Sequence, residues 1–192
     1  MNIGPAIICI LGPPCSGKST IIKKIQKDYE FHVISIGDVL RNSTDPIIKE
    51  SLAKGNYISA AEFILPIIKT KLQSKKESLK PLILDGFPRS ENQLYDYRKE
   101  FDTTTNTYYI HLQCPDNICI SRASLRNRSD DYKIHERLEK HHRETLLLLN
   151  QINVVSVNAN VNIEEVHTDV TRLIKVAIED NLHSYEQKYV HY

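Results

Sequence analysis

Eight residues, Gly12-Pro13-Pro14-Cys15-Ser16-Gly17-Lys18-Ser19, carry the densest chemistry in the chain. Glycines at both ends let the backbone wrap a polyphosphate, aiming successive N–H groups and a following helix N-terminus at its charge. Lys18 then reaches the β- and γ-phosphates, and Ser19 offers its hydroxyl to a magnesium ion. The flanks agree with this reading. An apolar run, Ala6 to Leu11, enters the first glycine as a strand, and Thr20-Ile21-Ile22-Lys23-Lys24-Ile25 leaves as the first turns of a helix.

A second cluster is Leu82-Ile83-Leu84-Asp85-Gly86-Phe87-Pro88-Arg89. A carboxylate at the end of a buried strand, here Asp85, is the right group to hold magnesium or its waters beside a phosphate loop. Gly86 permits close backbone approach, Pro88 stiffens the exit, and Arg89 presents a planar fork to a phosphate. On its own, the segment reads equally well as a strand whose aspartate caps a helix.

These groups need a scaffold, and the apolar pattern supplies one. Strands are expected at Ile7–Leu11, His32–Ser35, Leu82–Leu84, Tyr108–Leu112 and Val154–Val157. Helices are expected at Ile47–Lys54, Ala60–Ser74, Asn92–Lys99, Asp116–Leu125, Tyr132–Leu149 and Ile163–Ile178. Alternation of near-continuous apolar strands with helices predicts an α/β fold of three layers. A parallel five-stranded sheet has helices on both faces, with its ligand crevice at the strands' carboxyl ends. Leu146-Leu147-Leu148-Leu149 then belongs to the core. The lysine-rich stretch from Lys69 to Lys80 and the tail with Tyr185, Tyr189 and Tyr192 read as solvated surface.

With 192 residues, 41% of them hydrophobic, a single domain spanning 1–192 is the default. A net charge of +1 gives no global basic field for nucleic acid or a membrane surface. The apolar start is too short to span a bilayer, so a cytoplasmic protein is expected. Cys9, Cys15, Cys114 and Cys119 form no CxxC pair, which predicts reduced thiols and no structural zinc. His135, His141 and His142 lack metal-site spacing and are expected at the surface. Cys15, inside the loop, is expected to be a tolerated small side chain; cationic surroundings that lower its pKa would instead make it oxidisable.

Taken together, the phosphate loop and Asp85-Gly86-Phe87-Pro88-Arg89 resemble the adenylate kinase family of nucleoside monophosphate kinases, in its short-lid form. His32-Val33-Ile34-Ser35-Ile36-Gly37-Asp38-Val39-Leu40-Arg41 is similar to the family's second strand, whose Gly-Asp pair leads to an arginine on the acceptor phosphate. Gly55-Asn56-Tyr57-Ile58-Ser59 resembles the turn lining the acceptor base, and Arg89 and Gln93 resemble the acceptor-phosphate arginine and base-reading glutamine. Pro115-Asp116 with Arg122 and Arg126, and Val157-Asn158-Ala159-Asn160, look like the donor-adenine elements.

The resemblance implies a phosphate-loop NTPase fold with a small acceptor-binding flap at about 36–65 and a very short lid at about 126–131. It implies reversible phosphoryl transfer from Mg-ATP to a nucleoside monophosphate, giving two diphosphates. Gly12 to Thr20, Arg122 and Asn160 would hold ATP, while Ile36, Gly37, Arg41, Ile58, Gly86, Arg89 and Gln93 would hold the acceptor. Lys18, Arg89, Arg126, Arg128 and Arg137 would neutralise the group in flight, and Ser19, Asp38 and Asp85 would serve Mg2+ directly or through water. Arg128 precedes Asp130-Asp131 as the family's lid arginine does, but counting back from Arg137 selects Arg126 instead, and both stand as candidates. Gln93 favours AMP; Ile36 lacks the hydroxyl usual in adenylate members and is not the small residue usual in pyrimidine members, and a UMP/CMP-type enzyme is the alternative. A nucleotide-binding regulator with weak turnover is the other. The expected partners are ATP and a nucleoside monophosphate, with no nucleic acid and no membrane, for a monomer.

Overall fold

The computed structural model describes residues 5–73, 80–101, 106–126, 128 and 130–189, with side chains as far as residue 183. Residues 74–79 of the lysine-rich stretch, Asn127 and Ser129 of the expected lid, Tyr192 and the side chains of Tyr185 and Tyr189 lie outside the described residues. The chain runs β1 (Ile7–Leu11), α1 (Lys18–Ile25), β2 (His32–Ser35), α2 (Ile36–Arg41), α3 (Pro46–Ala53), then a π-helical turn (Ala60–Ile64) leading into α4 (Leu65–Leu72). It continues with β3 (Leu82–Asp85), α5 (Glu91–Phe101), β4 (Thr107–Gln113), α6 (Asp116–Arg126) and a 3-10 turn (Asp131–Lys133). Next come α7 (Ile134–Lys140), a second π turn (His141–Thr145), α8 (Leu146–Leu149), β5 (Val154–Asn158) and α9 (Ile163–Tyr189).

The five strands pair in the order β2-β3-β1-β4-β5, all parallel. Successive side chains of β1 point to opposite faces and feed two cores. Ile7, Cys9 and Leu11 pack with Ile34, Leu84, Leu94 and Leu148 on one side. Ile8 and Ile10 pack with Ile21, Ile22 and Ile25 of α1 and Val166, Val170 and Ile174 of α9 on the other. Each fully buried isoleucine contributes roughly 1.5–3 kcal/mol, which fixes the strand ends that carry the loops. Asp45 starts α3 by accepting from the Ile47 and Ile48 N–H groups, with Pro46 in the first turn where no donor is needed.

Several boundaries differ from the sequence reading. Residues 36–41 form the short helix α2, which Gly37 and the β-branched Ile36 conceal from a propensity argument. The helix expected over 132–149 is broken into a 3-10 turn, α7, a π turn and α8. The π turn widens the i→i+4 ladder to i→i+5 and rotates α8 relative to α7, so of the four leucines only Leu148 is fully buried while Leu147 is half exposed. The strand at 154–157 is an edge strand, and Val155 and Ser156 face solvent. The tail continues as α9 through Tyr189.

Candidate functional site

One cleft of about 910 Å3 opens along the carboxyl ends of β1, β2 and β3 and receives nearly every residue the sequence singled out. At its base the turn after β1 wraps with Gly12 at φ 143, where a Cβ would lie 2.7 Å from the Leu112 carbonyl oxygen, so no larger residue fits without moving the β4 backbone. Lys18 Nζ donates to the Gly12 and Pro13 carbonyls at 2.8 and 2.7 Å, and the Ser16 N–H donates to the Pro13 carbonyl at 3.2 Å, which closes the loop around the ammonium. Burial and the neighbouring Arg89 and Arg137 lower the Lys18 ammonium to about 8, against the attraction of Asp85. Pro13 supplies only its carbonyl and does not line the cleft, whereas Pro14 to Thr20 do.

Ser19 Oγ donates to the buried Asp85 carboxylate at 2.6 Å, and Ser35 Oγ lies 3.4 Å from the same oxygen. This group of hard oxygen donors beside the phosphate loop suits Mg2+, which takes one or two protein carboxylates and completes its shell with phosphate and water. Asp38 stands at the edge of this group: its carboxylate binds Arg41 and hydrogen-bonds Ser35, but it is largely exposed and absent from the cleft lining.

Beyond the loop, two guanidinium groups crowd one glycine. A Cβ on Gly37 would lie 3.1 Å from Arg41 Nη1 and 3.4 Å from Arg89 Nη2, so these cations are neighbours only because residue 37 has no side chain. Arg89 Nε donates to the Gly86 carbonyl at 2.6 Å, and Thr145 Oγ1 donates to the Arg89 carbonyl at 2.9 Å, fixing that segment from both sides. Among the described residues no carboxylate pairs with Arg89. Its charge is left for a ligand.

From the lid side, Asp130 gathers three arginines: Arg128 at 2.6 and 3.1 Å, Arg137 at 3.3 Å and Arg41 at 3.8 Å. These cations hold the Asp130 carboxyl below the ordinary carboxylate range in spite of burial. Arg126 is engaged elsewhere, by both oxygens of the buried Asp131, which also accepts the Arg128 N–H at 2.9 Å. Asp131 is lowered to about 2 chiefly by the Arg126 hydrogen bond. The two candidate arginine side chains thus separate, Arg128 on Asp130 with Arg41 and Arg126 on Asp131, while Arg137 reaches both carboxylates, at 3.3 and 3.6 Å.

At the acceptor end, the Gln93 amide is buried, donating to the Ile58 carbonyl and accepting from the Arg89 N–H, both at 2.9 Å. Ile36 and Ile58 line the same pocket. Sequence reasoning missed Tyr57, Lys140 and Thr145. The Lys140 ammonium sits 4.1 Å over the Tyr57 ring, the Tyr57 hydroxyl lies 3.4 Å from Thr145 Oγ1, and Lys140 and Lys133 donate to the Gly55 and Ala53 carbonyls at 2.6 and 3.0 Å. A lysine pair, one on α7 and one in the turn before it, therefore grips the segment after α3. The signal was present in the i, i+7 spacing of the lysines, without anything to say what they faced.

At the opposite end Arg122 donates to the Ser16 and Ala159 carbonyls at 3.3 and 3.0 Å and, with Ala159, Val161, Ile163 and Val166, forms a slot with apolar walls. Asn160 is exposed and outside that lining, since Asn158 Oδ1 captures its N–H and turns it away. Cys15 adopts φ 63, a left-handed conformation, and burial outweighs the neighbouring arginines to push its thiol up, against the oxidisable-thiolate reading. All four cysteines are free. His135 and His142 are exposed as expected, but His141 is buried, carried inward by the π turn.

The family model described as Adenylate kinase matches residues 10–157. A UMP-CMP kinase 2 of Caenorhabditis elegans is 28% identical over 186 residues, covering 89% of this chain and 97% of that protein. An adenylate kinase of Trichodesmium erythraeum is 30% identical over 157 residues, covering 74% and 81%, and a uridylate kinase of Saccharomyces cerevisiae is 26% identical over 188 residues, covering 88% and 91%. No helix among the described residues is long and apolar enough to cross a membrane.

Proposed function

The chain belongs to the adenylate kinase family and is a nucleoside monophosphate kinase, and on that premise we propose that it transfers the γ-phosphoryl group of Mg-ATP to AMP. The observation that supports this reading best is the single cleft with Lys18 and the loop amides at one end, Arg41 and Arg89 at the other, and Arg128 and Arg137 between. Donor and acceptor chains that fill those ends meet head to head.

Phosphoryl transfer asks little covalent chemistry of the protein; the barrier falls by alignment and by neutralising charge on the equatorial oxygens. The loop amides and Lys18 hold the donor's β- and γ-phosphates. Arg41 and Arg89 fix the acceptor phosphate, already an anion and in need of no side-chain base. Arg128 and Arg137 exchange Asp130 for the moving group. Ser19 and Asp85 would hold Mg2+ or its waters, and the ion would supply positive charge that offsets the phosphate chain's. The donor adenine enters the slot beside Arg122, Ala159 and Val161. Arg126, in this reading, keeps the lid closed against water through Asp131.

Gln93 favours AMP. One N–H and one lone pair of its amide are committed to Ile58 and Arg89, which fixes the orientation and leaves a second N–H and lone pair for the donor–acceptor edge of adenine. The UMP/CMP reading stands second, supported by the pyrimidine kinases among the relatives. Mg-ATP with AMP, CMP, UMP and GMP, assayed for diphosphate formation, decides between them. The proposal expects the highest kcat/KM with AMP, and a higher value with UMP or CMP overturns it.

A further inference from the structure

Two buried imidazoles lie beneath the phosphate cleft, and phosphoryl transfer as derived from the loop and the arginines uses neither. His111 extends from β4, paired in register with Leu11, the residue that leads into Gly12. It is 5% exposed, and neither ring nitrogen has a hydrogen-bond partner among the described residues. His141, also 5% exposed, stacks on it with ring centroids 6.0 Å apart and planes at 19°. His141 itself lines the cleft. Its π turn is tied to the acceptor side by Thr145, whose hydroxyl donates to the Arg89 carbonyl, so His141 stands between the donor loop's strand and the Arg89 segment. His142 meets His141 edge-on at 5.8 Å and binds Asp116 of α6 at 2.9 and 3.0 Å.

We propose that His141, backed by His111, is a further phosphate-binding residue, whose imidazole donates an N–H to the phosphate chain where donor and acceptor meet between Lys18 and Arg89. The inference rests on the nucleotide reading of the cleft. A ring in the wall of a phosphate pocket, stacked from behind on a second buried ring, is held where an anion in the pocket can reach it.

The charges around His141 give the site a second property. In the free protein it faces Lys18 from the loop, Arg89 from the segment after β3, His111 from β4 and His142 from its own turn. Burial and these cations hold it at about 3, so the ring is neutral. His111 is held at about 4 by burial and Lys18. Phosphate chains on Lys18 and Arg89 reverse the sign of that field, and an anion in contact favours imidazolium. The ring then takes one proton from solvent, and a neutral hydrogen bond becomes a charge-assisted one of roughly twice the strength.

Ring-nitrogen NMR of the full chain labelled with 15N-histidine, at pH 6.5, tests this with and without the magnesium complex of diadenosine pentaphosphate. The proposal expects His141 neutral alone and doubly protonated in the complex. It also expects His141→Gln to lower kcat by on the order of tenfold, from the loss of a charged donor, and to flatten the fall in kcat that the unmodified enzyme shows as pH rises through the bound imidazolium's titration. A ring that stays neutral while the amides of Gly12 to Ser19 shift overturns the inference and leaves the nucleotide reading intact. If those amides do not respond at all, both fail. The NMR readout uses the unmodified chain and does not depend on the variant folding.

Discussion

Acid should unfold this protein through two histidines, over a pH range in which its carboxylates do not yet titrate. His111 and His141 sit at about 4 and about 3 in the folded state, against 6.5 for an unhindered imidazole. Between those values the unfolded chain binds protons that the folded one refuses, so stability rises with pH and is lost as pH falls from 6.5 towards 4. At 1.36 kcal/mol per pH unit, each ring costs about 2 kcal/mol by pH 5, and the stacked pair no more than about 4, out of a total of roughly 5–15 kcal/mol. Asp131, lowered to about 2, works in the same direction only as pH falls below the ordinary carboxylate range, which leaves pH 7 to 5 clear. Urea midpoints at pH 7, 6 and 5, for the unmodified chain and for His111→Phe, measure the effect. Phenylalanine keeps a ring on His141, removes one titration and discards two unpartnered nitrogens worth about 1–3 kcal/mol. The variant should match or exceed the parent at pH 7 and lose about 2 kcal/mol less on going to pH 5. Parallel losses in the two proteins would refute the reasoning.

The remaining expectations concern the cleft. Because Lys18 loses its proton at about 8, kcat/KM for Mg-ATP should fall above that pH, and a profile flat to pH 9.5 contradicts the assigned role. Arg137→Ala should lower kcat by on the order of 10³-fold, whereas Arg126→Ala should mainly destabilise, by about 1–3 kcal/mol, since it removes the two-pronged partner of the buried Asp131 and leaves only the Arg128 N–H and Arg137 at 3.6 Å; equal effects on kcat would return Arg126 to the phosphates. Asp85→Asn should raise the Mg2+ concentration for half-maximal rate by on the order of tenfold or more, and Asp38→Asn should shift it by less than about twofold. The reverse order would restore Asp38 as the metal residue.

What the sequence disclosed and what it hid divide along physical lines. The phosphate loop and the five strands were legible because each depends on local pattern: glycines where the chain must turn or be approached, and apolar runs where it is buried. Arg41 and Gln93 were named only through the resemblance, and the structure brings them with Arg89 into the cleft lining. Asp38 could not be placed from the sequence, because a carboxylate next to Gly37 looks the same whether it reaches Ser35, Arg41 or both. Asn160 was named through the resemblance, which gives the order of residues in a loop but not which of them lines the cleft; here Ala159 and Val161 do. His141 was assigned to the surface because a single π turn moves it to the buried side, and no single-residue preference marks a π turn. The choice between Arg126 and Arg128 was beyond a count of residues, since it rests on which of two adjacent aspartates each reaches.

The most direct test tracks the γ-phosphoryl group itself. With γ-labelled Mg-ATP and AMP in a single turnover, label should pass into newly formed ADP, and Lys18→Met and Arg89→Ala should each abolish most of that passage while preserving the fold. Label released as inorganic phosphate by the unmodified enzyme, or transferred at the normal rate by Arg89→Ala, would contradict the claim that these two ends of one cleft bring donor and acceptor together.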